Sequence, residues 1–271
     1  MSTATLHPHP NSRILFTHFD AHQRRTQNSI SELQSRTNLL RQDLLRHQQP
    51  NSDTLTNINE TLHLIIDAAL LSAANSASIH ASNRVLQLAG YLCSLGTDTS
   101  NAVVEHAVLR SNALKDSVRV RACYLLSCCT GACAESCVLV YEALLSRVTD
   151  KAQCVRLAAL QACGALDYNH GNTEVASVSR SVRMLQNAVI GSSKGDSSHA
   201  CRAAAVVALG SMLRSNGGLE HVLEALIVRV RDCKEKVRVG AIQALSLVTD
   251  KTIWERQDIT RRVLQYGLNS R

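Results

Sequence analysis

The sequence predicts an all-α chain built as a solenoid of repeated antiparallel helix pairs. Three observations lead there. All three prolines (Pro8, Pro10 and Pro50) fall within the first fifty residues, so residues 51–271 contain none. Aromatic residues make up only 3% of the 271 residues, whereas a β-sandwich or barrel draws heavily on them. Four segments of the second half align without gaps, and a regular recurrence of this length signals a stacked-repeat architecture.

The N-terminal part is less regular. Residues 1–12 read as a flexible tail, followed by a short helix around Ile14, Leu15, Phe16 and Phe19. Apolar residues at Ile30, Leu33, Leu40 and Leu44 mark an amphipathic helix. Pro50-Asn51-Ser52-Asp53 breaks it and starts the next, which carries Leu55, Ile58, Leu62, Ile65 and Ile66 and runs to about Ala74. A further helix holds Val85, Leu88, Ala89 and Leu92 and ends at Gly96. Residues 13–100 thus form irregular helices, and residues 101–271 form regular repeats whose last unit is incomplete.

The repeats are anchored on Arg119, Arg156, Arg202 and Arg238, spaced by 37, 46 and 36 residues. Three residues after each stands an alanine (Ala122, Ala159, Ala205 and Ala241), and apolar residues follow at four and seven. These alanines are expected at close helix contacts. Asp150, Asp196 and Asp232 stand six residues before their arginines, and Ala113 replaces Asp in the first unit. The pairs Asp150/Arg156, Asp196/Arg202 and Asp232/Arg238 are expected to form an Asp–Arg ladder, with Arg of one unit reaching Asp of the next. The aspartates are also expected to cap the second helix of each hairpin. First helices are read at 103–109, 138–148, 182–190 and 219–230. The long 46-residue spacing places extra chain near Asp167–Ser179 or Gly191–Ser198. Units of ~40 residues with two helices match the HEAT repeat, so the fold is an all-α, superhelical HEAT-repeat solenoid. Residues 259–268 read as a first helix without its partner, which suggests the N-terminal portion of a longer solenoid.

Charge points to the kind of partner. Residues 1–100 balance seven basic against seven acidic residues, so the net +7 lies wholly in residues 101–271. Such a surplus suits an anionic partner. Arg156, Arg202 and Arg238 are assigned to the ladder. Arg121, Lys151, Lys234 and Lys236 lie outside it and are the candidates for phosphate contacts, with Arg24 and Arg25 as a second, N-terminal set beside Arg36, Arg41 and Arg46. Scarce aromatics argue against base stacking on single strands.

No catalytic constellation is present: neither G-x-S-x-G nor H-E-x-x-H occurs. Gly191-Ser-Ser-Lys194-Gly195-Asp196 lacks the Walker spacing and reads as a linker. Cys128, Cys129, Cys133 and Cys137 lack zinc-ligand spacing and read as core residues. No enzyme, metal, cofactor or small-molecule substrate is therefore expected. No apolar run is long enough to span a membrane, and the ten cysteines fit a reducing, cytosolic or nuclear setting.

The ordered series resembles the non-SMC HEAT subunit of condensin (CAP-G, condensin subunit 3). The carrying residues are Ser111–Ala113 through Val118–Leu126, then Leu145–Lys151 with Val155-Arg156. Val230–Arg238 and the closing Arg262–Arg271 complete the series, and Ala21-His22-Gln23 is similar to the family's N-terminal helix start. The resemblance implies a scaffold that binds the kleisin subunit and, through it, the SMC ATPases. It also implies binding of double-stranded DNA without sequence preference during mitotic chromosome condensation, in the nucleus and on mitotic chromosomes. The alternative is another HEAT adaptor, of transport or phosphatase type, that binds an acidic protein segment.

Overall fold

A computed structural model describes residues 52–71, 83, 85–90, 93, 98–129, 134–166, 168, 176–216, 220–246 and 261. Among the described residues all regular structure is helical. The N-terminal helices read before residue 50, the basic set Arg24, Arg25, Arg36, Arg41 and Arg46, Cys133 and the final half-repeat lie outside them.

The order is α1 (Ser52–Leu71), α2 (Asp98–Ser111), α3 (Asp116–Cys128), α4 (Ala134–Val148) and α5 (Gln153–Ala165). It continues with α6 (Ala176–Gly195), α7 (His199–Asn216), α8 (Glu220–Arg229) and α9 (Glu235–Ser246). Residues 85–90 are also helical. From α2 onward the helices alternate between two layers. The first helices of the hairpins (α2, α4, α6, α8) stack on one another, and the second helices (α3, α5, α7, α9) stack in a parallel layer. Helix α1 packs on both α2 and α3.

The core lies between the layers. It runs continuously from Leu62 and Ile66 through Leu125, Leu126, Tyr141 and Leu160 to Leu209, Leu226 and Val237. Ala122, Ala159, Ala205 and Ala241 are fully buried, which lets neighbouring second helices approach closely. Glycine does the same where even a methyl would collide. A Cβ at Gly210 would lie 2.8 Å from Ala244 Cβ, and one at Gly90 would lie 2.3 Å from Cys128 Cβ. Ile242, four residues after Arg238, is 46% exposed.

Two readings are corrected here. The segment Gly191–Gly195 is no linker: it is the end of α6. Ser193 is buried and donates to Ile190 O at 2.8 Å, so packing overrides its glycine- and serine-rich composition. The extra length of the 46-residue unit is thus taken up partly by a 20-residue first helix. The aspartates, in turn, do not cap the second helices. The N-cap of α3 is Lys115 and that of α5 is Ala152, and neither makes a side-chain cap.

Candidate functional site

The turns inside the four hairpins, around residues 112–115, 149–152, 196–198 and 231–234, come together along one edge of the solenoid. Three of them are closed by the same device. Asp150 Oδ1 accepts the N–H of Ala152 at 2.9 Å, Asp196 Oδ1 that of Ser198 at 2.9 Å, and Asp232 Oδ1 that of Lys234 at 3.0 Å. The carboxylate therefore closes the turn two residues ahead, an Asx-type bond, instead of reaching into the first helical turn.

Arginine completes each turn from the helix that follows. Arg119 Nη1 donates to Ala113 O and Leu114 O, both at 2.9 Å. Arg156, Arg202 and Arg238 donate in the same way to the carbonyls of Asp150, Asp196 and Asp232 at 2.9–3.0 Å. This explains why Ala113 is tolerated in the first unit: the arginine needs that residue's carbonyl, not its side chain.

The other guanidinium edge crosses to the next repeat. Arg119 donates from Nε and Nη2 to Asp150 at 3.0 and 2.9 Å. Arg156 meets Asp196 at 2.8 and 3.1 Å, and Arg202 meets Asp232 at 2.9 and 3.0 Å. These are bidentate fork pairs, the geometry that guanidinium fits best. Arg147 and Arg229, in the last turns of α4 and α8, add a second cation to Asp150 and Asp232. Burial pushes the Asp232 carboxyl up, but the bonds from Arg202 and from the Lys234 N–H outweigh it and hold the group at about 2. Asp150 and Asp196 are lowered for the same reasons, with burial opposing their arginine and backbone bonds. Among the described residues Arg238 meets the turn carbonyls but no carboxylate.

With those arginines engaged, the edge presents lysines to solvent, beside the exposed Arg231. Lys115, Lys151 and Lys234 are exposed within three of the turns, and Lys194 is exposed in the last turn of α6, just before the fourth. Lys151 and Lys234 were legible as contact candidates. Lys115 and Lys194 were missed, although laying the four turns side by side brings both into the row. Lys236 is exposed but lies a turn further into α9, at the rim of a separate groove. Arg121 departs from its expected role. It is half-buried and its Nη1 donates to Ala69 O at 2.6 Å, satisfying a carbonyl in the last turn of α1. That bond ties α3 to the end of α1.

The groove lies on the outer face of α5, α7 and α9 and encloses about 800 Å³. Its floor is small (Gly164, Ala204 and Gly240) and its walls apolar, with Val207 and Val239 57% and 44% exposed. Gln161 and Gln243 offer amides, and Glu235 and Lys236 are its charged residues. Among the described residues no group of His, Cys, Asp or Glu could hold a metal ion, and no helix is long and apolar enough to cross a membrane.

Comparison with known proteins agrees with this geometry. The chain has the HEAT/armadillo type of solenoid fold. The sequence profile of the sister chromatid cohesion protein PDS5 family matches residues 119–250, which span the whole ladder. Cnd3, in the S. pombe condensin Cnd3–Cnd2 subcomplex, superposes with a TM-score of 0.61 at 20% identity, over 96% of this chain and 30% of that one. The karyopherin Kap95p, in its complex with RanGDP, gives a TM-score of 0.59 at 11% identity over 94% of this chain and 33% of its own. Kap121p, bound to the C-terminus of the phosphatase Cdc14p, gives 0.58 at 12% over 94% and 25%. The chain thus spans a third or less of the length of each of these solved proteins. No curated protein matches it in sequence. The resemblance to a condensin HEAT subunit that the sequence carries is matched at the level of fold.

Proposed function

We propose that this chain is a HEAT scaffold of condensin type, which holds a kleisin-type partner and lies against double-stranded DNA on nuclear chromosomes. The carrying observation is the set of exposed Lys115, Lys151, Lys194 and Lys234 along an edge where Arg119, Arg156 and Arg202 are engaged by aspartate. Packed helices lie ~10 Å apart, so a lysine recurs at that interval or a small multiple of it along the edge. A flexible ammonium row of this kind can follow a phosphate backbone and displace its counterions. It carries no planar or aromatic group suited to reading bases, so the binding is indifferent to sequence.

The groove across α5, α7 and α9 is the seat for the protein partner. Its small floor admits a peptide backbone, its valines take apolar side chains, and Gln161 and Gln243 can bond peptide amides. Co-purification of the chain with a kleisin fragment tests this part. Val207→Glu with Val239→Glu abolishes capture if the groove is the seat; capture unchanged by that pair overturns it. The karyopherin-like fold favours a second reading, an adaptor for acidic protein segments. An acidic peptide that outcompetes duplex DNA at equal charge decides for the adaptor.

A further inference from the structure

Cys93 and Cys129 carry an inference that neither the ladder nor the groove uses. Cys93 follows the helical residues 85–90, and Cys129 ends α3. Their sulfurs face each other at 3.6 Å across 36 residues of chain, and both residues are buried. None of the nine described cysteines is in a disulfide. A second observation places the backbones beside them in contact. Gly90 sits directly against Cys128, where a Cβ would lie 2.6 Å from the Cys128 carbonyl oxygen. A disulfide needs Cα atoms ~4.4–6.8 Å apart and sulfurs ~2.05 Å apart. The sulfurs, 3.6 Å apart, must close by about 1.5 Å, which rotation of the two side chains would supply.

We propose that Cys93 and Cys129 form a redox-controlled cross-link that locks the segment at 85–93 to α3. The oxidant is a peroxide, small enough to enter a packed interior. One thiolate attacks the peroxide O–O bond, forming a sulfenic acid and releasing hydroxide, which takes up the proton that the thiol lost. The second thiol then displaces hydroxide from the sulfenic sulfur, forming the S–S bond and a second water. In total two thiols and one hydrogen peroxide give one disulfide and two waters, with two electrons passing from sulfur to oxygen. The hydrogen bond from Cys93, together with burial, pushes the Cys129 thiol up. The reaction is therefore slow at rest and quickens when the N-terminal helices breathe.

The test is peroxide treatment of the purified chain, followed by non-reducing peptide mapping and melting. A Cys93–Cys129 peptide pair is expected, with a melting midpoint several degrees higher that returns to its starting value on reduction. The exposed Cys154 and Cys233 report that oxidant was present. Cys93→Ser should lose the cross-link and the rise, while Cys137→Ser should keep both. Mapping of the unaltered chain decides the matter even if a variant folds poorly. Oxidation at Cys154 and Cys233 without the Cys93–Cys129 pair, a pair with Cys128 instead, or a cross-link that leaves the midpoint unchanged would overturn the proposal.

Discussion

Arg119 and Asp150 form the most buried rung of the ladder, with side chains only 5% and 4% exposed and two hydrogen bonds of 2.9–3.0 Å between them. The next rungs are wetter on the arginine side, with Arg156 at 18% and Arg202 at 11%. Removing one partner of a buried pair costs about 3–5 kcal/mol; Arg147 would still face Asp150, but loss of Arg119 also removes its bonds to Ala113 O, Leu114 O and Asp116. Arg119→Ala should therefore lower the melting midpoint more than Arg156→Ala does. Replacing both Arg119 and Asp150 by leucine should recover part of the loss. Equal effects from the two single changes would show that the rungs do not differ in burial energy.

Acid should weaken the ladder in a defined window. Asp232 is held at about 2, and Asp150 and Asp196 are lowered from the ordinary carboxylate value. A depressed carboxyl contributes stability that is fully present above its unfolded pKa of ~4 and is lost as pH falls through the folded value. Melting curves should thus be flat on this account from neutral pH to about 5 and fall between about 4 and 2. Asp232→Asn should lower the midpoint at neutral pH and flatten that fall. A variant that keeps the parent's acid slope would contradict this assignment.

Two glycines should respond in opposite directions. A Cβ at Gly90 would meet Cys128 Cβ at 2.3 Å, whereas one at Gly191, inside α6, would meet nothing within 4 Å. Gly90→Ala forces two helices apart and should destabilise the chain. Gly191→Ala removes backbone freedom from the unfolded chain and should stabilise it by about 0.5–1 kcal/mol. Denaturant midpoints of the two variants check the signs.

Much of this architecture is legible in the sequence because the rungs use rigid chemistry at fixed offsets. Arg and the alanine three residues on define the register of all four second helices, and the aspartate six residues back marks three of them. The role of the aspartate is less legible. Whether a carboxylate bonds the N–H two residues ahead or reaches into the helix depends on backbone angles that its position alone does not set. Arg121 is illegible for another reason: its partner carbonyl at Ala69 lies 52 residues away, in a helix outside the repeat register. Gly191–Gly195 has a loop's composition but a helix's structure, since Ser193 is buried against its neighbours. Lys115 and Lys194 form a row with Lys151 and Lys234 only once the turns are stacked.

The lysine row is the central claim, and duplex titration across a range of salt concentrations tests it most directly. The chain should bind duplexes of unrelated sequence alike, with affinity falling steeply as salt rises. Changing Lys115, Lys151, Lys194 and Lys234 together to Glu should remove most of the binding and reduce the salt slope by about one unit per lost contact. These exposed side chains take no part in the Asp–Arg rungs. The variant's melting midpoint should therefore stay near the parent's. A variant that melts like the parent and still binds duplex with the parent's affinity and salt slope would contradict the account.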